Sequence, residues 1–285
     1  MPGRGALMVR SHRSVGGTLP EWSYLSKPTG VPADIPLRHR GTEVNDVDLV
    51  ALRDTIATAC RILAMEGLVE GILGHVSARA GPDRMLIRCR GPHEHGLLFT
   101  ESRDVRLIGL DGSALEPAGG YRPPNEVWIH SEVLRARPEI HAVVHAHPPA
   151  VLMCGLLGLP LRPVFGSFNI PAARMALDGV PVYRRSVLIR RPELAHEMLA
   201  AMGGSKVCLL RGHGITVTGG SVEEAVVRAV NLNVLAGVTA AIAQTGREVP
   251  PIPPEDVAEL PDLGSGFNND AVWRYYVAKE RQLRG

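Results

Sequence analysis

Residues Ile129 to Ala150 read IHSEVLRARPEIHAVVHAHPPA, a helical-looking segment that gives way to a short extended run ending in His145-Ala146-His147. Pro138 stops the helix, because its ring removes a backbone donor and clashes with the preceding turn. If Ala142 to His147 is a strand, its period of two sends both imidazoles to one face, about 6 to 7 Å apart along the chain. That spacing suits two bonds to one cation. A third histidine, His213, lies in LLRGHGITVTG, where the apolar lead-in predicts a buried strand running into a glycine-flanked turn. Upstream, PPNE puts Glu126 close to the first pair. The pattern is that of a three-histidine metal centre with a nearby carboxylate, and three protein nitrogens leave open positions suited to catalysis. Imidazole binds Zn, Mn, Fe, Co and Ni alike, so the ligands do not name the metal.

Composition bounds the rest. With 285 residues, 45% of them hydrophobic and 21% charged, the chain can bury a full core as one large domain with extensions. The 31 basic and 29 acidic residues leave a formal charge of +2, no surplus to hold a nucleic-acid backbone. Cys60, Cys89, Cys154 and Cys208 are widely spaced in apolar or mixed runs, which predicts reduced thiols and a cytoplasmic protein. The N-terminal stretch lacks the apolar core of a signal peptide, and no uninterrupted apolar run reaches about 18 residues, so no membrane partner is expected.

Taken in order, residues 1–45 have no sustained period and predict an arm that is disordered or laid over a neighbour, with Trp22 and Tyr24 as anchors. From Val47, apolar residues recur at helical spacing through Leu68, with Asn45 or Asp46 as cap. Extended pieces follow at His75–Ala78, Arg84–Cys89, Leu97–Thr100 and Val105–Gly109, separated by Gly, Pro and Asp turns as in antiparallel strands. Helices are predicted over about Asn125–Arg137, Val151–Leu157 and ELAHEMLAAM, and a long amphipathic helix runs from SVEEAVV, capped by Ser221 with Glu224 at the capping-box position. These elements make a mixed sheet surrounded by helices. Residues 46–247 form the expected catalytic domain, and 248–285 a tail whose Trp273, Tyr275 and Tyr276 are too large and amphipathic to be merely solvated. No phosphate-cradling glycine motif is present.

GHVSAR, PPNEVWIHSEVLRARPEIHAVVHAHPP and LLRGHGI together resemble the class II aldolase/adducin family. The likeness spans roughly residues 47 to 245 in the family's order. It implies a three-layer α/β/α fold with a central, mostly antiparallel mixed sheet flanked by helices. It also implies a divalent metal (Zn, Mn, Fe or Co) on His145, His147 and His213, an acid/base role for Glu126, no organic cofactor, and a homotetramer with sites near subunit boundaries. Tyr275 or Tyr276 would then be a second proton-transfer candidate in a neighbour's pocket.

The departures set the expected chemistry. Sugar-phosphate aldolases carry small hydroxyl and amide side chains in three loops, where this chain has Gly74-His75-Val76-Ser77, Thr100-Glu101-Ser102-Arg103 and Pro124-Asn125-Glu126. Glu101 would repel a phosphate if it pointed inward. GHVS resembles instead the branch of metal-dependent decarboxylases of hydroxylated aromatic dicarboxylates. The insert IRCRGPHEHGLLFT adds Arg88, Arg90, His93 and His95, with Arg79 just before it. Arginine meets planar carboxylates bidentately, so Arg79, Arg88 and Arg90, with Ser77 and Thr100, are the expected grip on a small anionic aromatic or hydroxy-acid substrate, and His75 a contact to its phenolate or carboxylate. The resulting expectation is a metal-dependent, non-oxidative decarboxylase of a compound such as 3,4-dihydroxyphthalate. Two alternatives stand beside it: an aldolase cleaving a non-phosphorylated hydroxy-oxo acid, which shares nearly every residue, and a non-haem iron oxygenase, which the three histidines would equally serve.

Overall fold

The computed structural model describes residues 46–263 and 265–284; the N-terminal arm with Trp22 and Tyr24 lies outside them. The chain forms α1 (Asp46–Met65), β1 (His75–Arg79), β2 (Arg84–Arg88), β3 (Val105–Gly109), α2 (Val127–Ala136), β4 (Ala142–Ala146), α3 (Pro149–Leu157), α4 (Ile170–Met175), β5 (Val182–Tyr183), α5 (Pro192–Met202), β6 (Val207–Leu210), β7 (Gly214–Gly219), α6 (Val222–Gln244), α7 (Pro254–Glu259) and α8 (Ser265–Arg284). The strands make one seven-stranded sheet in the order β3-β2-β1-β4-β7-β6-β5. Every neighbouring pair is antiparallel except β5 with β6.

Strand alternation divides the interior in two. Val76, Ala142, Val144, Ile215 and Val217 turn to one face, where Ile56, Cys60 and Leu63 of α1 and the buried stripe of α6 cover them. Ile87, Val143, Cys208 and Leu210 turn to the other and pack under Ile129 and Val133 of α2 and Leu194 and Met198 of α5. Helix, sheet and helix are thus three layers, with the fully buried Ile and Leu side chains each stabilising by about 2 kcal/mol. Although α6 is long and apolar enough by composition to cross a membrane, its buried residues form this core.

Two local expectations are corrected. Leu97–Phe99 is a 3-10 turn rather than a strand: Leu97 N–H donates to Gly71 O and Thr100 N–H to Leu97 O, so these donors are spent before any ladder can form. At α6, Ser221 Oγ accepts from Glu224 N as expected, but the Glu224 carboxylate accepts from Gly220 N–H at 2.6 Å, one residue beyond the usual reciprocal partner.

The C-terminal segment packs on its own chain. Trp273, Tyr276 and Val277 of α8 lie against the α1–α6 core, Lys279 pairs with Glu66 at 2.6 Å, and Glu280 with Arg61 at 2.5 Å.

Candidate metal centre

The centre is assembled where β4 ends and β7 begins. β4 is buried throughout and carries His145 on the α2 side of the sheet. His147 stands just past the strand, its N–H donating to Leu68 O at 2.9 Å. The two Nε2 atoms come within 2.8 Å of each other. His213 occupies the turn between β6 and β7. Gly212 takes φ +65°, and Gly214 passes so close to β4 that an added Cβ would lie 2.2 Å from Ala146 O and 2.8 Å from His147 Cδ2. Only glycine allows that approach, and it brings the His213 ring to 4.8 Å from the rings of both His145 and His147.

Glu126 closes the group at the start of α2. Its Oε1 accepts from Ile189 N–H at 3.0 Å, which aims Oε2 at His145 Nε2 and His213 Nε2, each 3.3 Å away. One donor atom from each of Glu126, His145, His147 and His213 lies within 4.8 Å of the others. Burial alone would raise the Glu126 pKa, but attraction and hydrogen bonds from His145 and His213 outweigh it and hold the carboxyl far below the usual range. Burial, with the neighbouring imidazoles, lowers the His147 pKa to about 3, so the ring is neutral at ordinary pH, the form that can ligate a cation.

These residues fit a divalent cation. One nitrogen from each of three imidazoles and one carboxylate oxygen, all within 4.8 Å of one another, make a donor set that suits Zn, Mn, Fe or Co. The Nδ1 atoms of His145 and His213 are buried without a hydrogen-bond partner among the described residues, so the protein meets these two rings only through Nε2, on the side of Glu126.

Beside these four residues runs a second line of polar groups. His75 faces His145 across the β1–β4 ladder, and their rings stack with centroids 4.9 Å apart. His75 Nδ1 meets His130 Nε2 at 2.6 Å, and His130 Nδ1 meets Ser77 Oγ at 2.6 Å. Burial depresses both pKa values, that of His130 to about 3. His130 is a residue that sequence reasoning overlooked, though it lies four residues after Glu126 and so one turn along the same face of α2.

The other expected substrate residues are placed elsewhere. Arg79 spends its guanidinium on Leu134 O and Arg137 O at the end of α2 and on Ile140 O in the segment between α2 and β4. Arg88 turns to the α1 side of the sheet and pairs with Glu94. The Thr100 hydroxyl donates to Leu97 O, and its carbonyl accepts from Arg61. Arg90 pairs with Arg122 through its backbone, and Glu101 is exposed beside Arg103. The insert lines its own hollow of about 730 Å³, where Arg88, His93 and His95 share space with Glu94, Glu101 and Asp104. That mixture of charges differs from the anion cradle expected of it. Tyr275 is exposed against Tyr276, and burial pushes the Tyr276 phenol up to about 12 beside Glu66. Neither tyrosine is among the four residues that converge in its own chain.

Residues 54–240, which include all four converging side chains, match the family described as Class II Aldolase and Adducin N-terminal domain. The chain belongs to this family. Among class II aldolase/adducin relatives, the 3,4-dihydroxyphthalate decarboxylase of Arthrobacter keyseri is 50% identical over 247 residues, covering 86% of this chain and 96% of the relative. The protein of the same name from Terrabacter sp. (strain DBF63) is 51% identical over 231 residues, covering 80% and 97%. An aldolase II superfamily protein from Pseudomonas syringae shares the fold, with a TM-score of 0.71 over 82% of this chain and 93% of that one at 22% identity.

Proposed function

We propose that this protein is a metal-dependent carbon–carbon lyase that decarboxylates a hydroxylated aromatic dicarboxylate of the 3,4-dihydroxyphthalate type. The observation that carries the reading is the identity of about one residue in two to decarboxylases of that substrate across nearly their whole length. The geometry supports it. His145, His147 and His213 would hold the cation, which when bound supplies Lewis-acid stabilisation of the negative charge that develops as carbon dioxide leaves.

Because its pKa is held low, Glu126 rests as a carboxylate and must take a proton before it can give one. The economical source is the ring hydroxyl beside the departing carboxylate. Glu126 accepts that proton and delivers it to the ring carbon. The carbon–carbon bond then breaks, its electron pair returns to the ring, and carbon dioxide departs. A solvent proton restores the hydroxyl, so the reaction consumes one proton and needs no oxidant or organic cofactor. His75, stacked on the His145 ring, is placed to donate to a substrate oxygen.

Assembly as a homotetramer belongs to the same proposal, supported by apolar Leu156, Leu157 and Phe168, each more than half exposed on the single chain. The deciding assay is carbon dioxide release from 3,4-dihydroxyphthalate under nitrogen, with Zn, Mn, Fe or Co supplied in turn. Release without oxygen supports the reading. Uptake of oxygen with ferrous iron, or cleavage to an aldehyde, would replace it.

A further inference from the structure

The polar chain behind the centre has a direction, and its geometry settles which one. Ser77 on β1 and His130 on α2 are fully buried, and the 2.6 Å gaps from Ser77 Oγ to His130 Nδ1 and from His130 Nε2 to His75 Nδ1 each hold one hydrogen. A neutral imidazole offers one donor and one acceptor. Two arrangements are therefore self-consistent. In the first, the Ser77 hydroxyl donates to His130 Nδ1, His130 Nε2–H donates to His75 Nδ1, and His75 carries its hydrogen on Nε2. In the second every bond is reversed. His75 Nδ1–H donates to His130, His130 Nδ1–H donates to Ser77 Oγ, and the serine hydrogen needs another acceptor.

Ser77 Oγ makes no second hydrogen bond among the described residues, and its side chain is sealed from solvent. The reversed arrangement would leave a buried hydroxyl donor unpaired, which is disfavoured. The first arrangement satisfies every hydrogen and leaves one donor unspent, on His75.

We infer that Ser77 and His130 are positioning residues that lock His75 in the Nε2–H tautomer, so that it offers a fixed donor to an anionic oxygen of the substrate beside the His145 ring. The role of that donor rests on the decarboxylase reading; the tautomer does not. A fixed N–H favours a carboxylate or phenolate oxygen, which only accepts, over an uncharged hydroxyl, which can do either. It thus adds selection for charge at a place where Arg79 and Arg88 are occupied elsewhere. Ser77, expected to touch the substrate, acts through two rings instead.

The test is solid-state ¹⁵N NMR of the full chain, histidine-labelled and loaded with zinc, with the His75 signals assigned by their loss in His75→Gln. The expected result is protonated Nε2 and bare Nδ1 in the unaltered protein. In Ser77→Ala, His130 Nδ1 loses its donor, and both His75 tautomers should be populated. The turnover number on 3,4-dihydroxyphthalate should then fall about 10-fold at unchanged zinc stoichiometry, the usual scale for a residue behind a metal site. A bare Nε2 in the unaltered protein overturns the inference, as does an unchanged tautomer in Ser77→Ala. If the expected tautomers are found but no carbon dioxide is released, the decarboxylase reading fails and the positioning role stands.

Discussion

Glu126 shows how much one carboxyl group can be asked to do. Its Oε1 is tied to the backbone at Ile189, while Oε2 stands between the imidazoles of His145 and His213. Replacing the carboxylate by an amide of the same shape should leave the three histidines intact. E126Q is expected to retain metal by mass spectrometry yet lose about 10²- to 10⁴-fold in turnover, the range for a lost general acid/base. H147A should lose both metal and activity. Wild-type turnover in both variants would remove the mechanism. A pH effect also arises at this scale. The folded pKa of His130 is lowered to about 3 from an ordinary 6.5, and that of His147 likewise. Between those values the unfolded chain binds protons that the folded chain refuses, so stability is fully present above about pH 6.5 and is lost as pH falls toward 3. The urea midpoint of metal-free protein should therefore drop between pH 7.5 and pH 5; a flat profile would contradict the burial of these rings.

Among the elements, the β6–β7 turn and α8 do the positioning. G214A would set a methyl against Ala146 O and the His147 ring, and backbone cannot yield as a flexible side chain can. We expect it to cost about 1–3 kcal/mol in urea denaturation and to weaken metal retention, because the displaced strand carries His213 away from its partners. α8 is held to α1 by the Arg61–Glu280 pair, with both side chains nearly excluded from water. Removing one partner strands the other charge, so E280A should destabilise by about 3 kcal/mol. A loss below about 1 kcal/mol would mean that the apolar contacts of Trp273 and Tyr276 hold the helix unaided. Legibility at this scale followed the strength of local pattern. α1, α2, β4 and α6 stood in the sequence because periodicity, Pro138 and Ser221 are properties of a continuous segment. Leu97–Phe99 misled because three apolar residues in a row suit a strand and a turn equally, and a bond to distant Gly71 chose the turn.

Across the whole molecule, two cores enclose one sheet, and all four cysteines fall inside. Burial pushes the Cys60 and Cys89 thiols up to about 12 and that of Cys208 to about 11, and it raises Cys154 as well. A thiol reagent at pH 8 should modify none of them in the native protein and all four after unfolding; stoichiometric labelling without unfolding would contradict the packing. By itself the sequence determined which residues can ligate, the pairing of His145 with His147 two residues on, the glycines around His213, and the layered alternation of helix and strand. All of these are set within a few neighbouring residues by backbone period and steric limits. Tertiary structure alone decided that Glu126 meets His145 and His213, that His75 stands across the ladder from His145, and that His130 and Ser77 stand behind it. It also committed Arg79 to the end of α2 and Arg88 to Glu94. Such partnerships depend on strand order and on which helix covers which face, and nothing in a segment's own pattern records what a distant segment will bring to it.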